Sequence, residues 1–103
     1  MPNPELSDGT ASVVVEPNGH IELAGSLNFD SAVSVLEPVR DAIRRSEKLQ
    51  IDLSGVTASN SAGLALMMEW LGEAHRLNHQ ITFKSVPDSL KQLASVCQVD
   101  TLI

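Results

Sequence analysis

The chain has 103 residues, 43% of them hydrophobic and 19% charged, which suits one globular domain with a real core and excludes long disorder. Thirteen acids against seven Lys and Arg give a formal charge of −6, and this argues against nucleic-acid binding and against docking on an anionic membrane. The lone cysteine, Cys97, excludes an internal disulfide.

Residues 1–10 carry two prolines, a glycine and polar side chains, and predict a frayed leader without the basic and apolar regions of a signal peptide. No apolar run is long enough to span a bilayer, so the sequence reads as a soluble cytoplasmic protein without direct membrane insertion. Ala11–Glu16 is rich in β-branched residues and reads as a strand. Pro17-Asn18-Gly19 predicts a turn, and the alternation of Ile21 and Leu23 predicts a second strand over 20–24.

After Gly25 the period changes to that of a helix carrying Phe29, Ala32, Val33, Leu36, Val39 and Ile43. Asn28 is its expected N-cap, Pro38 is expected to kink or restart it, and Arg44 and Arg45 suit its negative end. Leu49, Ile51 and Leu53 mark a third strand that Ser54-Gly55 should break. A second helix is predicted from about Ser61 to Leu77, ended by Asn78. Its inner face is read as Leu64, Met67, Met68, Leu71 and Ala74, with Leu66, Trp70 and Leu77 widening the arc. A strand over 80–84 follows, and a short helix from Pro87 buries Leu90, Leu93, Ala94 and Cys97. Residues 100–103 form a short strand or a tail. The order ββαβαβα predicts an α/β fold, a mixed sheet with helices on one side, and a parallel pair around the second helix.

The segment Asp52-Leu53-Ser54, followed by Asn60-Ser61-Ala62-Gly63-Leu64, resembles the STAS family, as does Leu23-Ala-Gly-Ser-Leu27 before the first helix. The likeness covers roughly residues 12–100 and implies a single STAS-like domain over 11–103. Within the family, the length and the stretch Gly63–Leu71 look most like the small subunits of bacterial phospholipid ABC transporters. The resemblance implies a non-catalytic subunit that binds and regulates the transporter ATPase in a system maintaining outer-membrane lipid asymmetry. It would reach the permease, and the periphery of the inner membrane, only through that complex. It also implies that Ser61 is a partner-contacting or phosphoacceptor hydroxyl. Asn60 replaces the family's usual acid there, which weakens the case for kinase recognition more than that for partner binding.

Independently of the family, a hydroxyl at a helix N-terminus can accept from free amides, and a phosphate there is favoured by the helix dipole. The plainer alternative makes Ser61 an N-cap and nothing more. Asn60, Ala62 and Gly63 join Ser61 as candidate partner-binding residues, Gly63 because it lets another backbone approach. Trp70 is a candidate anchor for a partner, with packing against a neighbouring helix as the alternative.

His75 and His79 lie at metal-ligand spacing but lack a second ligand pair, and Cys97 reads as a small buried hydrophobe. No nucleotide-binding glycine pattern and no catalytic constellation is present, so no cofactor, no metal and no enzymatic activity are expected. The rival readings are an anti-sigma-factor antagonist phosphorylated on Ser61, a small enzyme, and an apolar lipid carrier.

Overall fold

A computed structural model describes residues 11–103, so the leader expected at 1–10 lies outside the described residues. The chain order is β1 (Ala11–Glu16), β2 (His20–Leu27), α1 (Phe29–Arg45), β3 (Lys48–Ser59), α2 (Ser61–Leu77), β4 (Gln80–Lys84) and α3 (Asp88–Val96). A 3-10 turn at Asp100–Leu102 takes the place of the expected terminal strand or tail.

The four strands lie in the order β1-β2-β3-β4, with β1 antiparallel to β2 and the other two pairings parallel. Ile21 pairs with Ile51 and Ile51 with Phe83, so one sheet face is apolar across β2, β3 and β4. The next residues along, Glu22, Asp52 and Lys84, form a polar band on the other face. The helices cover the apolar face. The core is aliphatic around Ile21, Leu23, Leu27, Val39, Ile43, Ile51, Leu53 and Met67, with Trp70 as its largest member.

Two strands run further than the sequence suggests. β2 continues through Gly25 to Leu27, because Gly25 adopts φ +92, open to glycine without strain, where the β2–β3 register shifts. β3 passes through Ser54-Gly55 to Ser59, since Gly55 stays paired with Ala24 and Val56 with Gly25. The 12-residue β3 therefore delivers Ser59 beside Leu27, where the Asn60 amide donates to the Leu27 carbonyl at 3.1 Å.

α1 runs unbroken through Pro38, so the helix does not restart there. Pro38 faces solvent and removes a single helical hydrogen bond, while Val35, Val39, Ala42 and Ile43 hold the helix on the sheet. Asn28 caps it as expected, accepting from the amides of Asp30 and Ser31, and Ser31 Oγ accepts the Asn28 amide in return. Asn78 ends α2 in the left-handed conformation at φ 59.

The predicted apolar faces hold in part. α1 buries Val39 and Ile43 together with Ser31, Val35 and Ala42, leaving Phe29 70% and Val33 79% exposed. α2 buries Leu64, Met67 and Ala74 as expected, and Leu66 and Trp70 of the widened arc with them, but leaves Met68 and Leu71 half-buried. α3 buries Leu90 and Ala94, whereas Cys97 is its exposed C-cap and not a core residue.

Candidate functional site: the open end of the helix pair

β3 ends and α2 begins at the C-terminal end of this central strand, and the junction positions the sequence-predicted residues. Asn60 is the N-cap, with its Oδ1 accepting from the Ala62 amide at 2.8 Å and its carbonyl from the Gly63 amide at 2.9 Å. This corrects the reading of Ser61 as the cap. Ser61 is the first helical residue, one position on, and it is exposed. The departure from the family's acid is thus a sound local choice, since Asn caps as well as Asp and adds no charge.

Gly63 works inside the molecule rather than toward another chain. A Cβ there would stand 2.2 Å from Ser59 Oγ, 3.3 Å from Leu90 Cδ2 and 3.4 Å from Leu27 Cβ. The missing side chain lets the first turn of α2 sink against β2, β3 and α3. Asp52, in the first half of the motif, has a local role too. Its Oδ1 accepts the Ser54 amide at 2.8 Å, and this bond, more than the nearby His20 and Lys84, holds its carboxyl below the usual carboxylate range.

Trp70 is fully buried, and its indole N–H donates to the Leu36 carbonyl at 3.2 Å. The expectation of a surface anchor gives way to its alternative, packing between α1 and α2. Beyond it, toward the helix C-termini, Glu73 is closed in by arginines. Its carboxylate meets Arg44 Nε at 3.2 Å, Arg40 at 3.6 Å and Arg76 on its own helix. Arg44 therefore serves a neighbouring helix, not only the dipole of its own.

Toward the helix N-termini the same pair is open. Phe29, Ala32 and Leu36 of α1 face Ala62, Ala65, Leu66 and Glu69 of α2 across an apolar groove of about 220 Å³. Ser61 is the residue before Ala62, at the end of this groove. Sequence reasoning placed Ser61 at the start of α2, as the structure does, but missed the groove, whose floor includes the buried Ala62. The signal was present: α1 carries more apolar positions than one buried face can use, and the excess, Phe29, Ala32, Val33 and Leu36, forms a second stripe. The site brings together Asn60, Ser61 and Ala62, and sets Gly63 and Trp70 beneath it as supports.

The family profile described as "Mlab, STAS domain" matches residues 13–103. The chain belongs to the STAS domain family. Solved structures agree on the fold. An anti-sigma factor antagonist from Mycobacterium paratuberculosis superposes with a TM-score of 0.80 at 16% identity, over 94% of this chain and 86% of that one. The anti-sigma factor antagonist SpoIIAA in its unphosphorylated form gives 0.65 at 9% identity, over 84% of this chain and 82% of that one. No curated protein matches the sequence. Among the described residues, no helix of this STAS domain is long and apolar enough to cross a membrane.

Proposed function

We propose that this STAS domain is a non-catalytic subunit that docks on the ATPase of a phospholipid-transport ABC system and regulates it. The observation that carries the reading is the exposed Ser61 at the end of an open apolar groove, on a chain whose family profile is the MlaB type. Phe29, 70% exposed, offers the largest apolar contact of the patch, and an aromatic of this kind anchors partners well. Glu69 on the groove wall and the chain's charge of −6 favour a partner segment that brings an apolar side chain flanked by a basic one. Ser61 would then lie against the partner, so that charge placed there opposes docking by desolvation.

Affinity purification of the tagged chain from its native cells tests the assignment. Recovery of an ABC nucleotide-binding subunit and its permease supports it. Recovery of a sigma-factor regulator instead supports the second reading, an anti-sigma-factor antagonist switched on Ser61. That reading is favoured by the two structural neighbours and by the exposure of Ser61 at a helix N-terminus, where a phosphate is stabilised by the dipole. Incubation with the co-purifying kinase and ATP, followed by mass spectrometry of Ser61, separates the two.

A further inference from the structure

The polar face of the sheet, opposite the helices, carries a second constellation that the docking surface does not use. Glu16 ends β1 and His20 begins β2, and the two are register partners across the Pro17–Gly19 turn. Glu22 lies two residues along β2, on the same face as His20. One ligand atom from each of the three lies within 4.8 Å of the others, and His20 Nε2 stands 3.7 Å from Glu22 Oε2.

The imidazole is also oriented. His20 Nδ1 lies 3.1 Å from Gln50 Oε1 of β3, and in the tautomer that donates from Nδ1 to that oxygen the Nε2 lone pair is left free beside Glu22, 3.7 Å away. Metal-ligating histidines are held in this way, with the second ring nitrogen donating to an oxygen of the surrounding protein. Two carboxylates so close repel each other, and a dication between them would remove that repulsion.

We propose that Glu16, His20 and Glu22 form a binding site for a first-row transition-metal dication. Donors on a tetrahedral zinc with bonds of about 2.0–2.1 Å lie roughly 3.3 Å apart, so small side-chain rotations close the present spacing. An imidazole nitrogen beside two carboxylates suits zinc and its neighbours, whereas calcium and magnesium take oxygen donors alone. Gln50 is a positioning residue. Leu27 stands at the far end of the 8-residue β2 from His20, about 23 Å away at strand rise, so the site is remote from Ser61 and does not depend on the docking role. A bound ion would tie the end of β1 to β2 at the edge of the sheet and raise the melting temperature.

Calorimetry with zinc chloride tests this on the full chain carrying Cys97→Ser, which removes the exposed thiol as a competing ligand. The expected result is one zinc per chain at micromolar affinity, with no binding of magnesium or calcium in the same range. His20→Gln and Glu22→Gln should each weaken zinc by about tenfold or more while circular dichroism stays that of the parent, and Gln50→Leu by roughly 10–100-fold. The His20 imidazole proton resonances should shift on titration. No saturable zinc binding, equal affinity in His20→Gln and Glu22→Gln, or calcium binding as tight as zinc would each overturn the proposal.

Discussion

One pair of helices behaves in two ways along its length. Toward their C-termini, α1 and α2 are closed by Trp70, donating to the Leu36 carbonyl, and by Glu73 among Arg40, Arg44 and Arg76. Toward their N-termini the same helices part over Ala32, Leu36, Ala65 and Leu66, and expose Phe29. The Trp70 indole bond and the ion pairs of Glu73 with Arg40 and Arg44 at the closed end hold the helices in register. That hold lets the open end present apolar surface without collapsing on it. On the proposed docking role, stability belongs to one end and recognition to the other, and substitutions should sort accordingly.

The largest effect is expected at the closed end. Trp70→Ala removes the largest buried side chain and should destabilise by about 3–5 kcal/mol, read as a lowered denaturation midpoint. A midpoint near the parent value would mean that the helix pair is not held there. Glu73→Ala leaves three guanidinium groups without their shared acid. Because these arginines are partly exposed and can rehydrate, the loss should be about 2–3 kcal/mol, below that for a fully buried pair. Asn60 and Ser61 then give a sharp contrast between adjacent residues. Asn60→Ala removes the cap of α2 and should cost about 1 kcal/mol. Ser61→Ala, at an exposed non-capping position, should stay within about 0.5 kcal/mol of the parent. Equal losses at the two positions would break the assignment of the cap.

Strand alternation, turn chemistry and caps made most of the fold legible. Ile21 and Leu23 gave β2 its face, and Asn28 and Asn78 marked helix ends that the structure shares. Where the sequence reading failed, a tertiary contact decided. Gly55 looks like a strand breaker in isolation, yet pairing with Ala24 carries β3 through it. Phe29 and Val33 share a helical period with Val39, but which stripe is buried depends on how α1 rotates on the sheet, and hydrophobicity alone does not fix that rotation. Trp70 stays open between two readings in the sequence for the same reason, since a wide apolar arc on α2 reads alike whether a partner or α1 fills its edge. Ser61 was legible as the residue opening α2, and its exposure followed only once Asn60 was seen to cap.

The proposed docking of the open end on a transporter ATPase is tested most directly by calorimetric titration of that purified ATPase with the chain and two surface variants. Phe29→Asp and Ser61→Glu both change exposed residues and should keep the parent's denaturation midpoint within about 0.5 kcal/mol. Each should weaken binding by at least about tenfold, the equivalent of roughly 1.4 kcal/mol. Two folded variants that bind the ATPase as tightly as the parent would contradict the account and leave the groove without a role in docking.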